Sequence, residues 1–192
     1  KLASRIYPKF VTIRAFDIGG DKFRFSEYKE PNPFLGLRGI RFLLENESLF
    51  RTQIRAVLRS SENKNIKFMI PMISTLDEVR RTQKIIQECK SELKKDKIKF
   101  DNHIKIGIMI EVPSAAVMAK DYAEEIDFIS IGTNDLIQYM MAVDRGNDLV
   151  SNLYQEFSPV IIRTIDYIVK AAKESKIPVS ICGEMAADTL AI

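Results

Sequence analysis

Two acidic residues in this sequence each follow an apolar segment that is typical of a buried strand. Glu111 ends the segment "IKIGIMIE", and Asp135 lies in "GTND", directly after the segment "IDFISIG". If these segments are neighbouring parallel strands about 4.8 Å apart, the two carboxylates could share one cation. Two carboxylates with open coordination positions suit Mg²⁺, which keeps water ligands and takes further oxygens from a substrate phosphate. The alternative role for Asp135 is structural, as the cap of the helix that follows "GTN".

Three arginines could supply the opposite charge at the same strand ends. Arg14 lies in the first apolar segment, Arg38 follows the turn "NPFLGL", and Arg145 follows "AVD". Taken singly, each could be an ordinary solvated or ion-paired arginine. As a set near carboxylates and the Gly-rich stretch "DIGGDK", they could bind an anion that carries both carboxylate and phosphate groups. The residues by themselves therefore indicate a metal-assisted site for a small phosphorylated acid.

The two cysteines and the single histidine have different surroundings in the sequence. Cys182 ends the fifth apolar segment, where a thiol can meet a ligand, and it is followed by Gly183 and Glu184. Cys89 lies on the apolar face of a predicted helix, which is typical of a packed core thiol. His103 precedes a strand, at the end opposite to the other candidates, and we expect a surface loop residue that serves neither as base nor as phosphoryl acceptor. Two cysteines so far apart form neither a disulfide framework nor a metal-ligand cluster.

Five short apolar segments predict the strands that would position these residues. They are rich in Ile, Val and Phe, as in strands buried on both faces of a parallel sheet, and they cover residues 10–17, 66–72, 104–111, 126–132 and 178–182. Helical patterns lie between them. One covers residues 35–59 with a break near Glu45–Ser48, one begins at Ser74 with Asp77 as its capping-box partner, and Ser158–Pro159 open another.

The alternation of strands and helices predicts parallel β/α units. An open doubly wound sheet and a partial barrel are both compatible with this pattern, although five strands cannot close an eight-stranded barrel. In either architecture the ligand lies at the carboxyl ends of the strands, where the candidate residues are found.

Composition is that of an ordinary globular domain. The chain has 192 residues, of which 46% are hydrophobic and 29% charged, with a net charge of +3. The small positive excess could help to attract an anionic small molecule, but it singles out neither nucleic acid nor a membrane. No apolar run approaches the ~18 residues of a spanning helix, and the first residues do not resemble a signal peptide. We therefore expect a reduced, cytoplasmic protein without nucleic-acid binding or membrane insertion.

Seven stretches of the sequence resemble, in order, the C-terminal phosphoenolpyruvate-binding domain of the enzyme I family of the bacterial phosphotransferase system. They are "IRAFDIGGDK", "NPFLGLRGIR", "MIPMI", "IMIEVPSAA", "SIGTNDLIQYMMAVDRGND", "LYQEFSP" and "CGEMAAD". The fifth stretch is highly specific. The resemblance implies an α/β fold of the TIM-type (β/α)8 barrel kind that binds phosphoenolpyruvate or pyruvate, present here with about five of its eight strands. It also implies that residues 1–192 are part of this C-terminal domain, without the N-terminal phosphohistidine and carrier-binding domains.

The resemblance further implies a pair of residues that bind one Mg²⁺ ion, and a proton donor. On this basis Glu111 and Asp135 bind Mg²⁺. Cys182 resembles the active-site cysteine of the family, the proton donor and acceptor at the methylene carbon. One position departs from the family, because Ala187 stands where a glycine is usual.

The implied reaction is transfer of the phosphoryl group from phosphoenolpyruvate to a histidine of the parent enzyme, the first step of phosphoenolpyruvate-dependent sugar uptake. The implied partners are the parent's own N-terminal domain, the histidine-containing carrier protein and a second copy in a homodimer. This fragment would be inactive alone, because the acceptor histidine is missing. The side chains implied to hold the substrate are Arg14, Arg38, Asn134 and Arg145.

Other functions remain compatible with the sequence. The equivalent domain of pyruvate phosphate dikinase or phosphoenolpyruvate synthase shares the barrel, the Mg²⁺ pair and the cysteine, although "AVDRGND" and "LYQEFSP" favour enzyme I. An aldolase or lyase of the pyruvate-binding barrel type would not need Cys182. A non-catalytic binding or dimerisation fragment would bind neither phosphoenolpyruvate nor Mg²⁺.

Overall fold

Strands and helices alternate along the chain, as the apolar segments predict. The computed structural model describes residues 2–19 and 30–189. These residues divide into two units: the first spans Lys1–Met72 and Asp77–Ile106, and the second spans Ile73–Leu76 and Gly107–Ile192. Each unit is built from parallel strands with helices between them.

The first unit contains two parallel strands. Val11 lies opposite Ile66 and Arg14 lies opposite Met69, so the strands run in register over four residues. The elements of this unit, with a 3-10 turn at Pro33–Leu35, are α1 (Leu2–Ile6), β1 (Val11–Arg14), α2 (Ile40–Glu45), α3 (Glu47–Ser60), β2 (Ile66–Ile70) and α4 (Leu76–Lys95).

Helices α3 and α4 are amphipathic. Helix α3 buries Phe50, Ile54 and Leu58, and α4 buries a stripe that contains Ile86 and Leu93. A spacing of three to four residues brings such side chains onto one helix face, so each helix presents an apolar stripe to the core. Cys89 lies in the stripe of α4 and is fully buried, as predicted.

Two helix starts differ from the prediction. The pattern at 35–59 predicts a helix from residue 35, but α2 begins at Ile40, because a 3-10 turn and Gly39, with a φ of 55°, intervene. The predicted break is confirmed at Asn46, between α2 and α3. Helix α4 begins at Leu76, two residues after Ser74. Side-chain periodicity continues into turns that bend the backbone away from a helix, so it overestimates helix length at these ends.

The second unit contains three parallel strands in chain order. Ile110 on β3 lies opposite Ile131 on β4, and Gly132 on β4 lies opposite Cys182 on β5. The elements of this unit, with 3-10 turns at Ser151–Leu153 and Glu184–Ala187, are β3 (Lys105–Ile110), α5 (Pro113–Val117), α6 (Ala119–Ala123), β4 (Phe128–Gly132), α7 (Thr133–Met141), α8 (Pro159–Glu174) and β5 (Val179–Cys182).

The five predicted strands are all present, but they are not all buried on both faces. Strand β4 is buried throughout, whereas β1 and β5 each contain exposed residues. Among the described residues, β1 is paired with β2 and β5 with β4, so each of these two strands has one covered side. Apolar composition indicates that a strand belongs to the core of the protein. It does not indicate whether the strand is paired with a neighbouring strand on one side or on both.

Several further predictions can be checked directly. Helix α8 begins with Ser158 as N-cap and Pro159 at its first position, as predicted. His103 is exposed in the turn before β3. Ala187 is exposed at the end of the 3-10 turn that follows Cys182. Gly20, Asp21 and Lys22 of "DIGGDK" lie outside the described residues. Within the described residues, no helix has the length and apolar character needed to cross a membrane.

Candidate functional site

Glu111 lies where β3 ends in the second unit, and its carboxylate is buried beside β4. The residue is 2% exposed and follows Ile110, the last residue of β3. A Cβ added to Gly132 would lie 2.7 Å from Oε2 of Glu111, closer than real contacts allow. Because Gly132 has no side chain, it leaves space at the carboxyl end of β4 for the Glu111 carboxylate.

Asp135 lies at the end of the neighbouring strand. It is the third residue of α7, which starts directly after β4, and it is 7% exposed. The exposed backbone N–H groups at a helix start favour a negative charge there. The N-cap of α7 is Gly132, so Asp135 is not the N-cap residue considered as its structural alternative. Nη1 of Arg145 lies 3.6 Å from Oδ1 of Asp135.

Arg145 is positioned by the segment that follows α7. Its backbone N–H donates to Oε1 of Gln138 at 3.2 Å, and the Tyr154 hydroxyl donates to the backbone oxygen of Asn134 at 3.2 Å. Burial raises the pKa of Tyr154 to about 12, so its hydroxyl stays protonated at neutral pH and keeps this bond. Both bonds tie the segment to α7, and they hold the Arg145 guanidinium next to Asp135.

Cys182 is the last residue of β5 and is half-buried, directly opposite Gly132. The turn after it is held by the first residues of α7. The Thr133 hydroxyl donates to the backbone oxygen of Cys182 at 2.9 Å, and the Glu184 N–H donates to Oδ1 of Asn134 at 2.8 Å. Gly183 has a φ of 105°, and an added Cβ would lie 2.6 Å from Oδ1 of Asn134.

Asn134 therefore has a structural role that the sequence did not indicate. Its side-chain oxygen accepts from the backbone of the cysteine turn, so its Nδ2 group is the part that can donate to a substrate. Two of the expected site residues, Asn134 and Cys182, are thus coupled through one turn. A change at Asn134 would therefore also affect the turn that follows Cys182.

The donor set at these strand ends fits Mg²⁺. Mg²⁺ binds through one or two protein carboxylates and completes its octahedron with water and substrate oxygens. Glu111 and Asp135 provide two such carboxylates at the ends of paired strands, and Gly132 leaves the space for one of them. Within the described residues, no group of three or more His, Cys, Asp or Glu could hold a metal ion by itself.

The first unit holds a second charged cluster, formed by Arg14, Asp17 and Arg38. Arg38 donates to Asp17 through both Nε, at 3.3 Å, and Nη2, at 2.9 Å. The two side chains of this bidentate pair are 4% and 1% exposed. Nη1 of Arg14 lies 3.5 Å from the same carboxylate, and the Arg14 side chain is 41% exposed. Arg14 ends β1, so it is not an unpaired charge within a buried strand.

Sequence reasoning missed several residues that hold the candidates in place. Asp17 ends the first predicted strand, residues 10–17. Its pairing with Arg38 depends on a contact between distant parts of the chain and could not be predicted. Thr133 and Gly132 lie inside the recognisable stretch "SIGTND", and Tyr154 lies inside "LYQEFSP". The motifs identify these positions, whereas their hydrogen-bond partners become apparent only in the structure.

Comparison with known proteins identifies the family. A family model described as the PEP-binding domain of PEP-utilising enzymes matches residues 1–192. The chain belongs to this family. It is 48% identical over 190 residues to the phosphoenolpyruvate-protein phosphotransferase of Priestia megaterium and 50% identical over 186 residues to that of Geobacillus stearothermophilus. These alignments cover 98% and 96% of this chain, but 33% and 32% of the relatives. The chain thus spans about a third of the length of these relatives.

Solved structures with a similar fold come from proteins of different sequence. A citrate lyase of Burkholderia xenovorans LB400 matches with a TM-score of 0.53 and 18% identity, over 68% of this chain and 40% of that one. An HpcH/HpaI aldolase/citrate lyase family protein of Burkholderia cenocepacia J2315 matches with a TM-score of 0.51 and 13% identity, over 71% and 57%. Both are TIM-like barrels. Together with five parallel strands and interleaved helices, they confirm the predicted α/β class, a (β/α) barrel present in part.

Proposed function

We propose that this chain supplies the phosphoenolpyruvate- and Mg²⁺-binding part of a phosphoenolpyruvate-protein phosphotransferase. The parent enzyme would transfer the phosphoryl group of phosphoenolpyruvate to one of its own histidines, as the first step of sugar uptake by the phosphotransferase system. One observation carries the proposal: Glu111, Asp135 and Cys182 come at the carboxyl ends of three successive parallel strands, in a member of the PEP-utilising family. The names of the relatives support the same reaction.

Glu111 and Asp135 are the proposed Mg²⁺ ligands. Bound Mg²⁺ would neutralise negative charge on the phosphate oxygens. It would also neutralise charge on the enolate that remains after loss of the phosphoryl group. The protein contributes the geometry: Gly132 leaves room for one carboxylate, and the start of α7 favours the charge of the other. Nη1 of Arg145 lies 3.6 Å from Oδ1 of Asp135, so the same guanidinium group would be available to a substrate anion beside the proposed metal ligands.

Arg14, Arg38 and Arg145 are proposed to bind the phosphate and carboxylate of the substrate, with the Nδ2 group of Asn134 as a further donor. Arginine suits this task because its planar fork can donate two parallel hydrogen bonds to an anion. Arg14 is the most exposed of the three side chains, and its partner Asp17 already has the two bonds from Arg38. Arg14 can therefore turn towards an anion at the smallest cost to the folded state.

Cys182 is the proposed acid and base at the methylene carbon. Loss of the phosphoryl group leaves an enolate, and the thiol would give its proton to the carbon to form pyruvate. The phosphoryl acceptor must be a histidine elsewhere in the parent, because His103 precedes a strand and the proposed site residues follow strands. We also propose that the parent works in the cytoplasm as a homodimer and passes the phosphoryl group from its N-terminal domain to the histidine-containing carrier protein.

The test uses the full-length parent enzyme with phosphoenolpyruvate, Mg²⁺ and the carrier protein. We expect phosphorylation of the carrier without added nucleotide. The Cys182→Ala variant should keep phosphoenolpyruvate binding but lose turnover by about 10²–10⁴-fold, the usual contribution of a placed acid or base. The Cys89→Ala variant removes the other thiol and serves as the control.

Three results would contradict the proposal in different ways. Turnover that requires ATP would favour a dikinase or synthase. The absence of any binding of phosphoenolpyruvate in the presence of Mg²⁺ would favour a non-catalytic fragment. Wild-type turnover of Cys182→Ala would remove the cysteine from the mechanism while leaving substrate binding intact.

A further inference from the structure

We propose that Ser130 is a positioning residue that orients the Cys182 thiol and stabilises the thiolate formed when this thiol gives up its proton. The proposal rests on the function proposed above, in which Cys182 protonates the methylene carbon. Ser130 was not among the residues that the sequence suggested, because a serine in an apolar strand has no pattern that marks it.

The register of the strands brings the two side chains together. Ser130 on β4 lies opposite Ser180 on β5, and Gly132 lies opposite Cys182. Residues two apart on a strand point to the same face, so Ser130 and Cys182 are diagonal neighbours on one face of the paired strands. Ser130 is 5% exposed, and its Oγ lies 3.3 Å from Sγ of Cys182.

The directions of the two hydrogen bonds at sulfur follow from the chemistry of the groups. Sγ of Cys182 also lies 3.4 Å from the backbone oxygen of Ile131. A carbonyl oxygen can only accept, so the thiol proton points towards Ile131. The Ser130 hydroxyl therefore donates to the sulfur. The protonated thiol thus has an acceptor on one side, the Ile131 oxygen, and a donor on the other, the Ser130 hydroxyl.

The two neighbours respond in opposite ways when the proton leaves. In the proposed step the S–H bond breaks and a C–H bond forms at the methylene carbon. The carbon–carbon double bond of the enolate supplies the electron pair, the enolate oxygen becomes the carbonyl of pyruvate, and the sulfur keeps the electrons of its broken bond. The Ile131 oxygen then faces an anion that it cannot bind. Ser130 still donates, and a hydrogen bond to a charged group is stronger than one to a neutral group.

The rate of alkylation of Cys182 tests this role, because the thiolate is the reactive species. The full-length parent would be treated with iodoacetamide without substrate, and each cysteine quantified by peptide mass spectrometry. We expect Ser130→Ala to slow alkylation of Cys182 by about 10–100-fold, the effect of one hydrogen bond to a charged group. Ser130→Thr keeps the hydroxyl and should restore most of the rate.

Ser180→Ala is the matched control. Ser180 is the register partner of Ser130 on the neighbouring strand, and its hydroxyl lies 3.5 Å from the backbone oxygen of Ile129. We expect iodoacetamide to alkylate Cys182 in this variant at the wild-type rate. In turnover assays, Ser130→Ala should lower kcat with little change in the KM for phosphoenolpyruvate, and the solvent deuterium isotope effect on kcat should increase. A purely structural role would not selectively change the proton-transfer step.

The outcomes separate this proposal from the function on which it rests. Unchanged or faster alkylation of Cys182 in Ser130→Ala would overturn the role of Ser130, since a serine that only shields the thiol gives a faster rate when removed. Failure of phosphoenolpyruvate with Mg²⁺ to protect wild-type Cys182 from alkylation would instead count against the proposed function. Fast alkylation of buried Cys89 would reveal unfolding of a variant. If Ser130→Ala is unfolded, Ser130→Cys repeats the test, because the cysteine side chain is similar in size to serine and its S–H group is a weaker donor.

Discussion

The charged residues at the strand ends differ in composition between the two units. In the first unit the carboxylate of Asp17 contacts two guanidinium groups, those of Arg14 and Arg38. In the second unit Nη1 of Arg145 lies 3.6 Å from the buried carboxylate of Asp135, and a second buried carboxylate, that of Glu111, follows the neighbouring strand β3. Among these named groups, arginines outnumber carboxylates in the first unit and carboxylates outnumber arginines in the second.

This difference in composition is consistent with the two ligands proposed above. Arginine can donate paired hydrogen bonds to an anion, and carboxylates are ligands that Mg²⁺ prefers. The arginines of the first unit therefore suit the phosphate or carboxylate of the proposed substrate, and the two carboxylates of the second unit suit the proposed Mg²⁺. The two proposed binding functions can be tested one at a time.

The largest effect is expected when one of the two proposed metal ligands is neutralised. Glu111→Gln or Asp135→Asn in the full-length parent should abolish Mg²⁺-dependent turnover, because a neutral amide is a poor ligand for this cation. Turnover measured over a range of Mg²⁺ concentrations checks this expectation, and thermal unfolding checks that each variant is folded. Exposed Glu184, as Glu184→Gln, is the control. Wild-type turnover in either variant would rule out that ligand.

A smaller effect should separate the two arginines of the charged cluster in the first unit. Arg38→Ala leaves Asp17 buried without its bidentate partner and should lower the free energy of unfolding by about 3–5 kcal/mol. Arg14→Ala removes a half-exposed partner and should cost about 1 kcal/mol or less. Urea denaturation measures both. The Asp17→Asn substitution should restore part of the stability of Arg38→Ala, and equal losses in the two arginine variants would contradict this difference.

Both arginine variants should also weaken binding of phosphoenolpyruvate. This second readout distinguishes a residue that only supports the fold from one that also binds substrate. Arg14→Ala is the informative case, because its stability should change little. An Arg14→Ala or Arg14→Lys enzyme with the wild-type KM would show that this arginine is not a substrate ligand.

The last prediction concerns the space beside Glu111. Gly132→Ala places a methyl group 2.7 Å from Oε2 of Glu111 and should weaken Mg²⁺ binding by about 10–100-fold, as loss of correct ligand orientation does. Gly146→Ala is the control, because that glycine is exposed and its added Cβ would have a nearest contact of 3.3 Å. Isothermal titration with Mg²⁺ compares the two variants. Equal affinities would show that Glu111 can shift without loss of the site.

Much of the architecture could be predicted because buried parallel strands have nearly continuous apolar sequences. This rule located the five strands, and the Ser158–Pro159 pair located the start of α8. The rule failed where local geometry overrides periodicity. Helix α2 begins after Gly39, whose positive φ is a conformation that glycine adopts readily, and apolar residues before it had extended the predicted helix.

The sequence by itself determined the order of strands and helices, the membership of the PEP-utilising family, and the positions of the candidate residues at strand ends. Only the tertiary structure decided the contacts of those residues. It paired Arg38 with Asp17, placed Glu111 in the space left by Gly132, and set Ser130 against the Cys182 thiol. The physical reason is that apolar periodicity and motif order are local properties of the chain. Hydrogen bonds and ion pairs at the site join residues from different strands and helices, and their partners are set by strand register and backbone direction.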